Sequence, residues 1–390
     1  MHDFMKKTTL ILCGLAMVIG STLLAPAMQK IALEYPNASP TVLPLMITLP
    51  ALTLLAGLIV SSALTSKFPI KTLILSGIIL ILIGGVLPYF IHSLTVIIVL
   101  RGILGIGLGM IMPLQTALFA EYEEAQRTVL IGGNVTVNCV LGVIFFALAG
   151  KLAEINWRLI FLLYAFFIVI FVLAIIYIPK RPPTSSAAPA AASAKAPRRR
   201  MPVSVFVYCF IIALVTLCVY VMTTIMANYL AYYNLGSAST VGLLTAMTTA
   251  ISAIGGMLVP LITKYLRNYA SAILVLMCAI GFFCYTMTSS LGIIAIGMAF
   301  TGFAQGVLNC ILTFKLTQVV PLEQVSAASS CYLATLFVCQ FLSPYWLMLH
   351  KNVLHLSGDA AAFGVYGVVM AVLAAFVFYW MRREDRTANH

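Results

Sequence analysis

The chain has 390 residues, of which 62% are hydrophobic and 8% charged, with a formal net charge of +12. A soluble domain carries about 25% charged residues, so this composition excludes a water-soluble globular protein and calls for many membrane spans. The positive balance is not a nucleic-acid stripe either, because the basic residues sit in short clusters between apolar runs, as cytoplasmic loops do.

In chain order, apolar runs of spanning length begin near Thr8, Thr41, Thr72, Ser93, Thr128 and Trp157, then near Val203, Ser239, Tyr269, Leu291, Ser326 and Ala361. The expected fold is an all-α polytopic membrane protein with twelve transmembrane helices in two pseudo-symmetric six-helix bundles, residues 1–178 and 203–390. Residues 179–202, rich in Ala, Pro and Ser and ending on Arg198-Arg199-Arg200, read as a flexible, basic, cytoplasmic linker. Met1 to Lys7 followed by an apolar run resembles a signal peptide, but the run continues to about Met28 with no clear cleavage site, so it reads as a retained first span.

With the N-terminus inside, sixteen Lys and Arg residues fall in inner segments and four in outer ones (Lys30, Lys151, Arg158 and Lys351). That asymmetry puts both termini in the cytoplasm, in a cytoplasmic (plasma) membrane. The nine cysteines all lie in apolar runs without metal-ligand spacing, so they read as small core residues, with no metal and no cofactor expected. The halves also repeat. Gln29 to Ser39 (QKIALEYPNAS) and Asn228 to Ser239 (NYLAYYNLGSAS) each end a first helix, and the next helix carries glycines near its inner end, Gly57 and Gly255-Gly256. Two parallel repeats with a binding site between them near the midplane is a transporter plan.

The fourth run holds the most informative stretch, Arg101-Gly102-Ile103-Leu104-Gly105-Ile106-Gly107-Leu108-Gly109. Arg101, Gly105 and Gly109 share one helix face, and Gly105 and Gly109 form the small-xxx-small pattern that lets another helix approach closely. A charge at this depth faces a polar interior or a cavity, so Arg101 either lines a transport path or bonds neighbouring helix ends. A dinucleotide-binding loop is ruled out, because that fingerprint needs a preceding strand.

The ten acids and five histidines lie at helix ends, in loops or in tails, with Glu121 the nearest to a helix interior and Glu34 reading as an outer-surface charge. The central polar groups are instead amides. Asn134 and Asn138 share a face of the fifth helix, and Gln305 and Asn309 share a face of the tenth. Gln115, Asn228 and Gln340 add further amides, and Tyr220 an aromatic hydroxyl. Amides in hydrocarbon need partners, so these faces point inward, toward either substrate or another helix. An amide-lined cavity with one Arg suits a neutral or anionic solute better than a multivalent cation.

These residues resemble the major facilitator superfamily, specifically its twelve-span, drug-antiporter-like branch. The run from Arg101 to Gly107 is similar to that family's R-x-x-x-G-x-G motif, and Trp157-Arg158-Leu159-Ile160-Phe161 to its W-R-x-x-F. Pro26-Ala27-Met28 and Glu34-Tyr35 fall where the family closes helix one, and Glu124-Ala125-Gln126-Arg127 resembles its loop between helices four and five. The loop after helix two departs from the pattern. Lys67 is kept, but Ser62 and Ser66 stand at the usual Gly and Asp positions. In helix five, Gly142 is followed by Val143 rather than Pro, which weakens the case for proton antiport.

The resemblance implies a secondary transporter working by alternating access and moving a small drug-like compound or metabolite outward. The alternative is uptake or facilitated exchange of a small organic anion without proton coupling. On this reading Arg101, Gln115, Asn134, Asn138, Tyr220, Asn228, Gln305, Asn309 and Gln340 line the cavity. Lys67, Lys71, Glu124 and Arg127 serve the inner gate. The expected partners are a small-molecule substrate, the lipid bilayer and a coupling ion whose identity is open, with no nucleic acid, and the expected state is a monomer. A membrane-embedded enzyme would need acids or histidines in its core, and a sensor an appended soluble domain, and the sequence shows neither.

Overall fold

A computed structural model describes residues 2–39, 41–180, 201–287, 290–354 and 358–388. Most of the expected linker, residues 181–200, lies outside the described residues. All regular structure among the described residues is helical. The chain divides into two compact units, Met1–Lys195 with Ser237–Leu243, and Ala196–Gly236 with Leu244–His390.

In the first unit the opening span is broken into pieces: α1 (His2–Cys13), α2 (Leu15–Ile19), a 3-10 helix (Thr22–Ala27) and α3 (Met28–Glu34). The axis bends by 41° between Asp3–Ile19 and Thr22–Glu34. The apolar run gave no sign of this. The interruptions fall at Gly14 and at Gly20-Ser21, and Pro26 sits inside the 3-10 stretch, where its missing N–H and fixed φ disfavour a continuous α-helix. Then follow α4 (Leu45–Leu64), α5 (Ile70–Val86), α6 (Leu94–Ala120) and α7 (Glu124–Ile155). A 3-10 helix (Trp157–Ala165) runs into α8 (Phe166–Tyr177).

Helix α6 is gripped by α4 and α5 through glycine. A Cβ on Gly109 would lie 2.0 Å from the Leu54 carbonyl oxygen, and one on Gly105 2.1 Å from Thr53 Oγ1. A Cβ on Gly57 would meet the Ile106 carbonyl at 2.2 Å, and one on Gly107 the Gly77 carbonyl at 2.6 Å. The glycine spacing of α6 therefore brings two backbones into direct contact on opposite faces. At the end of α7, a Glu154 carboxylate oxygen accepts from Ser237 Oγ and, at 3.2 Å, from the Ser239 N–H. Those serines belong to the short stretch Ser237–Leu243 that groups with this unit.

The second unit contains α9 (Val203–Tyr232), most of α10 (Ala238–Leu266), α11 (Ala270–Thr286), α12 (Leu291–Val319), α13 (Leu322–Val353) and α14 (Asp359–Ala388). Helices α11 and α12 meet at Gly281 and Gly297, where a Cβ on either would come within 2.8 Å of the other's carbonyl. Tyr229, Phe282, Tyr285, Phe363 and Tyr366 pack edge-on or tilted in one aromatic cluster. Among the described residues, ten helices are long and apolar enough to cross a membrane. With the bent first pair and the shorter apolar helix Ala270–Thr286, they account for all twelve expected runs. All nine cysteines are free thiols.

Replacing Gly109 by alanine should destabilise the protein by about 1–3 kcal/mol through overpacking. Gly132→Ala, where a Cβ meets nothing within 4 Å, should be neutral or stabilising by up to about 1 kcal/mol. Thermal unfolding of both purified variants measures the difference, and equal melting would contradict the close α4–α6 contact.

Candidate functional site

A helix that ends inside hydrocarbon leaves its last carbonyls without N–H partners and without water. The broken first span does this twice. Four of the polar residues singled out in the first half of the sequence, Arg101, Gln115, Asn134 and Asn138, gather at those two breaks.

At the second break, Arg101 is wholly buried. Its Nη2 donates to the carbonyls of Gly20 (3.1 Å) and Ser21 (2.9 Å), and its Nη1 to the Tyr164 hydroxyl (2.9 Å). That hydroxyl is also 2.9 Å from the Gly20 carbonyl and 3.2 Å from that of Ile19. Arg101 Nε donates to the Met46 carbonyl at 2.8 Å. Met46 stands four residues before Pro50, which has no N–H to return to it, so a proline in α4 frees the acceptor that the guanidinium takes. Arg101 was expected to line the cavity. In this structure its fork is taken by the carbonyls of Gly20, Ser21 and Met46 and by the Tyr164 hydroxyl, the helix-end bonding that the sequence left open beside a place on the transport path. Five donors in a fixed plane allow one side chain to bridge three segments, which a Lys ammonium could not match.

At the first break, Gln115 Nε2 donates to the Leu10 carbonyl at 2.6 Å and to Asn134 Oδ1 at 2.9 Å. Asn138 Nδ2 donates to the Ile11 carbonyl at 3.1 Å and to the same Asn134 Oδ1 at 2.7 Å. Leu10 and Ile11 lie in the last turn of α1. Gly14 leaves room for the three amides: a Cβ there would sit 2.2 Å from Asn134 Oδ1 and 2.4 Å from Asn138 Nδ2. Gln115, Asn134 and Asn138, from α6 and α7, are thus brought together on α1.

In the second unit, Asn309 Oδ1 accepts from the Tyr332 hydroxyl at 2.8 Å, joining α12 to α13. Gln305 lies one turn earlier and is half-buried, as are Tyr220 and Asn228 on α9, whereas Gln340 is buried on α13. The expected gate residues are not assembled. Lys67 and Glu124 are exposed and Arg127 half-exposed, and none of the three makes an ion pair among the described residues. Lys71 Nζ instead donates to the Ile175 carbonyl at 2.5 Å, in the last turn of α8. Glu121 is exposed and directly follows α6.

The sequence profile of the Major Facilitator Superfamily matches residues 10–344. The chain belongs to this superfamily. No curated protein matches it by sequence. Among solved structures, it is similar to a bacterial homolog of the human lysosomal transporter Spinster, with 15% identity, TM-score 0.73 and coverage of 98% of this chain and 97% of that one. It is also similar to the xylose transporter XylE from E. coli, with 16% identity, TM-score 0.73 and 95% of each chain covered. A peptide transporter, POT, matches at 12% identity and TM-score 0.75, over 98% of this chain and 94% of that one. The protein is therefore a multi-pass membrane protein with the superfamily's transporter fold.

Two of the motifs that carried the superfamily resemblance have visible structural work. The first is Arg101 with its glycines. The second, Trp157 and Arg158, builds an outer clasp that sequence reasoning did not assemble. Arg158 Nη2 pairs with Glu34 Oε1 at 2.7 Å and reaches the Tyr35 hydroxyl at 3.0 Å, while Nη1 donates to the Ile91 carbonyl. Trp157 Nε1 donates to Glu34 Oε2, and the Tyr35 hydroxyl donates to the His92 carbonyl at 2.7 Å. Glu34, expected as an outer-surface charge, is exposed and is also the centre of this clasp. Its available signal was its place beside Tyr35 at the end of helix one, opposite the W-R start of helix six.

Tyr164→Phe removes one hydroxyl and leaves an Arg101 N–H and the Gly20 carbonyl short of a partner, which should cost about 1–3 kcal/mol. Arg101→Ala strips four acceptors at once and should cost more than Tyr164→Phe. Unfolding of the purified variants measures the order, and an unchanged Arg101→Ala protein would refute the brace.

Proposed function

We propose that the protein is a secondary transporter that moves a small amphipathic, neutral or anionic compound outward across a plasma membrane by alternating access. The observation that carries the reading is the chemistry of the spans. Their buried polar groups are amides, hydroxyls and the guanidiniums of Arg101 and Arg158, while the acids sit at helix ends and in loops. A site for a cationic solute would require a carboxylate at membrane depth. The half-buried faces carrying Asn134, Asn228, Gln305 and Asn309 are the substrate contacts on this proposal, with Gln115, Asn138, Tyr220 and Gln340 beside them. Lys67, Glu124 and Arg127 remain candidates for the inner gate, as exposed charges that find partners in another state of the cycle. The N-terminal half (1–178), the linker (179–202) and the C-terminal half (203–390) are the working parts, both termini are cytoplasmic and the unit of function is a monomer. Outward direction rests on the likeness of the Arg101 and Trp157 motifs to the antiporter branch.

Uptake or exchange of an organic anion without protons is a second reading. It is favoured by the placement of every acid and histidine at a helix end, in a loop or in a tail, and by Val143 following Gly142.

Purified protein in liposomes should give solute-specific flux. On the leading reading a pH gradient accelerates export, with an edge carboxylate such as Glu121 or Glu34 as the coupling group. Flux indifferent to the gradient would select the second reading, and no protein-dependent flux of any solute would remove both.

A further inference from the structure

The amide cluster at the α1 break is not self-satisfied. Asn138 is 3% exposed, yet its Oδ1 is shut off from solvent with no hydrogen-bond partner. The amide cannot simply be turned over, because Nδ2 is held by two acceptors, the Ile11 carbonyl and Asn134 Oδ1. Asn134 shows the opposite deficit. Its Oδ1 accepts twice, but its Nδ2 donates to nothing among the described residues. A shut-off acceptor on Asn138 and, on half-buried Asn134, an amino group outside the cluster's hydrogen bonds thus stand one helical turn apart on one face of α7. A buried acceptor without a donor is a standing desolvation cost that a bound group could relieve.

We propose that the Asn134–Asn138 pair is a recognition subsite for a neutral group that donates and accepts at once, a hydroxyl or carbamoyl of the transported molecule. This rests on the transport reading and narrows its substrate class. The donating atom of such a group satisfies Asn138 Oδ1, and its oxygen takes the Asn134 amino group. A carboxylate can accept but not donate, so it leaves Asn138 unpaired. An ammonium can donate but not accept, so it leaves the Asn134 amino group unpaired and adds a charge with no counter-ion in the cluster. Sites built on buried hydrogen-bonding groups reject analogues that leave those groups unmatched. Gln115 fixes the geometry from behind, with Nε2 bridging the Leu10 carbonyl and Asn134 Oδ1.

The test uses four probes on one phenylpropyl frame: 3-phenylpropanol, 3-phenylpropionamide, 3-phenylpropionate and 3-phenylpropylamine. Binding to the full-length protein in lipid nanodiscs is measured by calorimetry. The neutral pair should bind at least about tenfold more tightly than either charged probe. Asn134→Asp keeps the Oδ1 acceptor of the cluster and removes the amino group, so it should move the preference from the neutral pair to the amine. A purely structural cluster would weaken all four probes alike in that variant. Equal or tighter binding of a charged probe by the native protein, an unchanged order in Asn134→Asp, or no binding of the neutral pair would each overturn the proposal. Solute flux in liposomes is scored separately. Flux with no preference for neutral probes defeats the subsite alone, whereas absent flux defeats the transport reading whatever the binding order.

Discussion

A carbonyl oxygen left unpaired in hydrocarbon has no water to turn to, and the first unit is organised around supplying partners to such oxygens. Its opening span ends as an α-helix at Cys13 and again at Ile19. Amides from α6 and α7 close the first end, and a guanidinium with a tyrosine hydroxyl closes the second. Exposed helix ends, where water is at hand, are reached by side chains as well. Lys30 Nζ donates to the carbonyl of Glu154 in the last turn of α7, and Lys71 does so to that of Ile175 at the end of α8. In the second unit the Tyr229 hydroxyl reaches the carbonyl of Tyr285, near the end of α11. The hydroxyls of Ser and Thr in these spans mostly bond back within their own helix, whereas Arg101, Gln115, Asn138 and Tyr229 reach backbone oxygens of other segments.

This economy bears on how a transporter can be both broken and stable. A kinked helix can change shape without losing a long ladder of hydrogen bonds, because its ladder is already interrupted. Side-chain caps hold the interruption in place and limit it to defined points, Gly14 and Gly20-Ser21. The cap at the second break uses a permanently charged group whose partners are all dipoles, so its charge is spread over several oxygens rather than cancelled by a carboxylate. The glycine faces of α6 bring its backbone against that of α4, which places Arg101 within reach of α4 and the first span.

The amides have a double aspect. Two of the three in the first cluster are tied to α1, yet the cluster keeps one buried acceptor unpaired, Asn138 Oδ1. Helix bracing and substrate contact, which the sequence presents as alternatives, are compatible in one cluster. The hydrogen-bonding capacity of an amide exceeds what one helix end consumes. Tyr332 and Asn309 make a similar link in the second unit, with Asn309 half-buried on α12.

Spans, their number and the superfamily resemblance were legible in the residue order, because hydrophobic length and the placement of Lys and Arg follow directly from bilayer thickness and membrane insertion. The Gly105–Gly109 spacing likewise announced a tight helix contact. The partners of the polar groups were not legible. Nothing local to Arg101 says that its acceptors are the carbonyls of Gly20, Ser21 and Met46, since those oxygens become available through breaks and a proline far away in the chain. Nor does Glu34 by itself say that it meets Trp157 and Arg158 rather than water. Backbone oxygens are present at every residue, so sequence cannot tell which ones a helix leaves free. That is settled when the helices pack, and it determined which side chains meet a free backbone oxygen.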